Sequence, residues 1–169
     1  KKKLKSIISR VEIFLINNGV SEKGGFKNIK QTDESSSSTY SDINEFSKYF
    51  KKKKFFFYGK KKYFTNYETK LITLNNFFYQ NKLKEIDYLK IDTEGHEFFV
   101  LKGFDKYIKN VKVIHFEHHY DSMLIKKYKF SDIHNLLIKN NFYNSFKIKM
   151  FFRKSFEYIY LNNNFFKIK

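Results

Sequence analysis

Apolar residues in this chain fall into short runs separated by polar turns, and the runs switch between a period of two and a helical period. Val11-Glu12-Ile13-Phe14-Leu15-Ile16 is β-branched and aromatic and predicts a strand, closed by the turn residues Asn17-Asn18-Gly19. Ser21 to Gly25 reads as a loop. Gln31 to Ile43 holds the run Ser35-Ser36-Ser37-Ser38 and too little apolar area to offset chain entropy, so a mobile surface loop is expected over residues 31–43. A lid over a ligand is the functional alternative for that loop. Asn44 to Phe50 predicts a helical turn, Lys51 to Lys54 a solvated run, and Phe55 to Gly59 an edge strand. Tyr67 to Leu74 predicts a strand and Asn75 to Leu83 a short helix with Phe77, Phe78 and Leu83 inward.

The second half is more regular. Ile86 to Ile91 predicts a buried strand that ends in Asp92, Glu94 and Gly95 and feeds a helix over His96 to Phe104. Gly103 is placed where a helix end favours a left-handed residue. Val111 to Glu117 predicts the next strand, with His118 and His119 in the turn after it. Ser131 is a candidate N-cap for a helix to Asn140, and Phe142 to Met150 and Phe156 to Leu161 alternate as a hairpin. Strands alternating with helices argue for an α/β domain with a parallel centre and an antiparallel edge. At 169 residues, one domain spanning 1–169 is the simplest division.

Composition changes the picture in two places. Cys, Trp and Pro are absent, so there is no disulfide framework and no thiolate metal site. Aromatic residues make up 21% of the chain, and with no Ala they must fill the core. The formal charge of +17 points toward polyanions. The 34 basic residues include only Arg10 and Arg153 as arginine, however, and the lysines are spread along the chain. Specific nucleic-acid reading relies on the arginine fork, so a solvated lysine surface without specific nucleic-acid binding is expected. No apolar run approaches the length of a membrane span, and the basic N-terminal stretch lacks the features of a secretory signal. The expected location is the cytoplasm.

Candidate chemistry concentrates at two strand ends. Asp92 and Glu94 follow one strand and Glu117 ends the next, so parallel neighbours would bring these acids to one rim. His96 opens the intervening helix and is a candidate proton acceptor. Asp92, Glu117 and a histidine could also offer ligands to a divalent metal, but they lack short-range metal spacing, and no metal is assigned. Neither a Gly-x-Ser-x-Gly nucleophile motif nor a phosphate-cradling glycine loop occurs.

Leu89-Lys90-Ile91-Asp92-Thr93-Glu94-Gly95-His96-Glu97, with Val100-Leu101-Lys102-Gly103 after it, resembles the signature of the FkbM family of S-adenosylmethionine-dependent methyltransferases. Thr73-Leu74-Asn75-Asn76-Phe77 resembles that family's T-L-D-D-F segment with both acids replaced by Asn. Ile114-His115-Phe116-Glu117 resembles its following strand, and Val11 to Ser21 the strand and N-x-x-V-S turn upstream. The resemblance implies a Rossmann-like methyltransferase sheet, mostly parallel, with a C-terminal antiparallel hairpin. It maps Val11–Ile16, Ile86–Ile91 and Val111–Glu117 to the third, fourth and fifth strands. The first two strands and the glycine-rich cofactor turn would then precede residue 11, which makes the domain N-terminally incomplete, so that either a longer chain or a partner supplies these parts or this polypeptide alone is inactive. The implied activity is O-methyl transfer from S-adenosyl-L-methionine to a hydroxyl of a sugar, glycan or small natural product. On this mapping Asp92, Glu94, His96 and Glu117 are the catalytic candidates, and Asn18, Gly19 and Asp92 border the cofactor. The alternative is a non-catalytic, lysine-rich module that binds anionic glycan or nucleic acid.

Overall fold

The computed structural model describes residues 12–31, 38–57, 64–151 and 153–166. Its elements in chain order are β1 (Gly19–Val20), β2 (Gly25–Gln31), β3 (Asp42–Ile43), α1 (Lys48–Phe57), β4 (Thr65–Ile72), α2 (Leu74–Gln80), β5 (Ile86–Ile91), α3 (Glu97–Lys102), β6 (Val111–His119), β7 (Leu124–Ile125), α4 (Phe130–Lys139), β8 (Phe142–Lys149) and β9 (Ser155–Asn162). They form a mixed α/β structure with three sheets, ordered β1-β4-β2, β3-β7 and β5-β6-β9-β8.

The four-stranded sheet holds the core. β5 and β6 run parallel, with Ile91 beside Phe116. β9 is inserted between β6 and β8 and runs antiparallel to both. The sheet is mixed and carries the expected antiparallel C-terminal hairpin: β9 alone runs against the other three strands, and β8 forms the outer edge. Strand alternation sends Ile91, Ile114, Phe116, Tyr158 and Tyr160 to one face, where Val100, Leu101, Ile133 and Leu137 from α3 and α4 cover them. As the composition required, aromatic rings do most of the filling: Phe104, Phe116, Phe142, Tyr158 and Tyr160 are all fully buried. β5 lies at the sheet's edge among the described residues.

Several elements depart from the sequence reading. Glu12 to Ile16 is not a strand, and Ile13, Phe14 and Leu15 are exposed at 74, 78 and 93%. Its β-forming residues find no pairing partner among the described residues. The parallel pairing falls instead on Gly19 and Val20, beside Leu71 and Ile72 of β4. Lys48 to Phe57 forms one helix where a turn, a lysine run and the start of an edge strand were expected; residues 58 and 59 of that strand lie outside the described residues. β6 runs two residues further than expected, so His118 and His119 belong to the strand and are buried. Pairing with Phe156 and Ser155 of β9 extends it. The helix expected from Ser131 starts at Phe130 after Lys129, whose backbone N–H donates to the Asp132 carboxylate at 2.7 Å.

Candidate functional site: two cavities around the strand-end turn

β5 gives way to the helix through a turn with two positive φ angles, 47° at Glu94 and 94° at Gly95. At Gly95 a side chain would be strained by that φ and would also meet Ser41 Oγ at 2.9 Å. Glu97, in the first turn of α3, reaches back over this turn. Its Oε1 accepts from the Gly95 N–H at 2.8 Å and from Thr93 Oγ1 at 3.2 Å. The Tyr128 hydroxyl donates to its Oε2. Glu97 is fully buried, so it acts as an internal clamp.

The segment expected to be a mobile loop packs on the other side of the turn; its residues 32–37 lie outside the described residues. Thr39 Oγ1 donates to the Glu94 carbonyl at 2.6 Å and Ser41 Oγ to the Gly95 carbonyl at 2.8 Å. Thr39 and Ser41 are buried, which corrects the expectation for this part of 31–43. The two hydroxyls satisfy carbonyls that a positive-φ turn leaves unpaired.

The four acidic and histidine candidates separate into two environments. Asp92 and Glu117 each follow the last registered pair of β5 and β6, Ile91 beside Phe116. Asp92 stays open, its side chain 53% exposed with Lys90 at 3.7 Å. Glu94 is engaged. Its Oε2 accepts from Arg153 Nη1 at 2.8 Å and lies 3.2 Å from His119 Nε2, off the line of a well-formed hydrogen bond. Burial alone would raise the Glu94 carboxyl, but His119 and the Arg153 guanidinium outweigh it and hold the pKa down to about 2. His119 Nδ1 is 3.5 Å from Glu117 Oε1, and Arg153 Nε donates to Asp121 Oδ2 at 2.8 Å. Arg153 thus ties the β8–β9 turn to the end of β5.

His96 faces elsewhere. It precedes α3, is buried, and shares a 2.9 Å hydrogen bond with Ser21 Oγ. Burial, with help from Lys27, pushes its pKa down to about 4, so it is neutral near neutral pH.

Two cavities flank this arrangement. A groove of about 670 Å³ is lined by Asn17, Asn18 and Gly19 together with Asp92, Thr93 and Glu94. The candidates Asn18, Gly19, Asp92 and Glu94 are brought together there. A second pocket of about 470 Å³ is lined by Ser21, Lys27, His96, Phe99 and Lys127. Tyr40 contributes to both cavities. His96 therefore opens on the pocket across Tyr40 from Asp92, because its ring turns toward Ser21.

Sequence reasoning gave no role to Glu97, Arg153, Thr39, Ser41 or Tyr40. Arg153 carried a signal as one of two arginines in a lysine-rich chain, and Glu97 lay in the quoted signature without a role assigned to it. Thr39, Ser41 and Tyr40 depend on contacts distant in sequence.

Comparison with known families finds a match to the Methyltransferase FkbM domain over residues 4–144. No curated protein and no solved structure matches the chain. Among the described residues, no helix is long and apolar enough to cross a membrane, and no group of three or more His, Asp or Glu side chains is placed to hold a metal.

Proposed function

From the chain's membership of the FkbM methyltransferase domain family, we propose that it serves S-adenosylmethionine-dependent O-methylation of a hydroxyl on a sugar, glycan or small natural product. The observation that carries this reading is the groove of about 670 Å³ that Asn18, Gly19 and Asp92 line together. The order β5-β6-β9-β8, with β9 antiparallel, supports assignment of this sheet to a Rossmann-like methyltransferase fold.

The residues present fit the cofactor's polar groups. Its ammonium and ribose hydroxyls need acceptors, and Asp92 is a carboxylate left open on the groove. Asn17, Asn18 and Gly19 would border the adenosine end, and the groove lies within the range of small-molecule sites. When bound, S-adenosylmethionine supplies an already activated methyl group.

The protein's part is then to orient the acceptor and take its proton. Asp92 is the best placed to do both. Glu94, held near a pKa of 2 by its ion pair, is a weak base and serves as a fixed wall. His96 is set apart by its position across Tyr40, so the proton-accepting role expected for it passes to Asp92. Glu117, one residue past Phe116 and 3.5 Å from His119, helps fix the rim.

The test is transfer of tritiated methyl from S-adenosylmethionine to a panel of mono- and oligosaccharides by the full-length protein. Asp92→Ala is expected to lower turnover by at least about 100-fold, as loss of a general base does. It should leave the circular dichroism spectrum unchanged, because the side chain is half exposed and has only a loose ion pair. Unaltered turnover in that variant would contradict the assignment.

A further inference from the structure

The pocket across Tyr40 from the groove has chemistry of its own. Five charged side chains line it: Lys27, Lys30 and Lys127 against Glu22 and Asp42. Both carboxylates are already engaged. Lys30 Nζ donates to Asp42 Oδ1 at 2.6 Å, and Glu22 accepts from Lys102, outside the pocket, at 2.5 Å. Among the described residues, Lys27 and Lys127 remain as two ammonium groups with no hydrogen-bonded carboxylate. They come from separate parts of the chain, β2 and the segment between β7 and α4, yet converge on one cavity.

Lys27 is also held in place, its Nζ 5.6 Å from the centre of the Tyr40 ring. Its ammonium is disfavoured first by burial and then by repulsion from Lys127. Folding the chain therefore brings together like charges that an anion would relieve. Ser21 and His96 add neutral polar groups, and Phe99 and Tyr40 offer aromatic surface for an uncharged ring or chain.

We propose that this pocket is a binding site for the phosphate of a small phosphomonoester, with Lys27 and Lys127 on the phosphate oxygens and the aromatic wall against the rest of the molecule. Two free ammonium groups match a dianion better than a single carboxylate. The proposal goes beyond methyl transfer and does not rest on it, although the shared Tyr40 wall sets such a ligand beside the groove.

Glucose 6-phosphate is the probe, titrated at constant ionic strength and followed by the imidazole nitrogen signals of His96. Glucose and glucuronate serve as comparisons. Saturable movement of the His96 signals by glucose 6-phosphate is expected, with little from glucose and weaker binding of glucuronate. Lys27→Gln/Lys127→Gln should weaken binding about tenfold or more, as expected for lost charge-assisted contacts. Lys84→Gln/Lys139→Gln, which removes the same charge from exposed sites elsewhere, should change it less than about twofold. Equal loss in the two double variants would reveal diffuse attraction to a lysine-rich surface and overturn the site. Glucuronate binding as tightly, or His96 signals that never move, would overturn it as well. Because no methyl donor is present, failure of methyl transfer leaves this result untouched, and the reverse also holds.

Discussion

Arg153 and Glu94 show how single residues hold this site. Their side chains are 11 and 13% exposed, and Asp121, the guanidinium's other partner, is 10% exposed. Removing the cation strands two shielded carboxylates, a change that typically costs about 3–5 kcal/mol. Arg153→Met should therefore lower the stability measured by urea unfolding by an amount of that order. A loss under about 1 kcal/mol would place the pair among weak surface bridges. Histidines set the response to acid. His96 and His118 have pKa values pushed by burial down to about 4 and about 3, below the 6.5 of an unperturbed imidazole. The unfolded chain thus binds more protons than the folded one below about pH 6.5, and stability falls as pH falls through that window. Each residue should contribute roughly 2 kcal/mol of loss between about pH 7 and about pH 5. Glu94, depressed to about 2, acts in the same direction at lower pH, as its unfolded-state carboxyl begins to protonate. Urea midpoints should shift accordingly, and His118→Phe should flatten the profile; a wild-type midpoint independent of pH would contradict the burial of both rings.

Two elements pack backbone to backbone where α3 ends. Gly103 was expected to supply a left-handed turn, but its φ is −74°. Its need is spatial: a Cβ there would meet the Ser21 carbonyl oxygen at 2.2 Å. The end of α3 and the residue after β1 touch through bare backbone, and Gly103→Ala must push them apart. Overpacking of this kind costs about 1–3 kcal/mol, so a lower melting temperature and altered His96 signals, through Ser21, are expected. Unchanged stability would mean the two elements are free to separate. Which elements the sequence discloses follows from where their stabilisation arises. β5, β6 and the hairpin were legible because both patterning and pairing act on the same residues. The Asp92-to-Glu97 turn was legible because its glycine and acids are local signals. Glu12 to Ile16 was misread because β propensity without a partner strand does not make a strand. α1 was misread because Lys51–Lys54 looks like solvated surface, although lysine is also a good helix former. His118 and His119 were placed in a turn because their burial depends on β9, far along the chain. The clamp by Glu97 and the hydroxyl contacts of Thr39 and Ser41 leave no periodic trace in the sequence.

Across the whole molecule, the arrangement divides labour between the four-stranded sheet with its helical cover and the small β1-β4-β2 sheet. The first supplies Asp92, and the region at β1 supplies Asn18 and Gly19, so the groove is a seam between them. The +17 charge is spread over both and favours weak, salt-sensitive adsorption to anions. Binding measurements therefore need fixed ionic strength and a ligand whose contacts are local. Backbone amide mapping of the full-length protein with S-adenosylhomocysteine meets both needs and examines the seam directly. Saturable shifts concentrated at Asn17, Asn18, Gly19, Asp92 and Thr93, and absent from the exposed end of β8 at Lys149, are the expected result. A titration that leaves those five amides in place, or moves lysine-rich surface amides everywhere alike, would contradict a methyl donor in this groove.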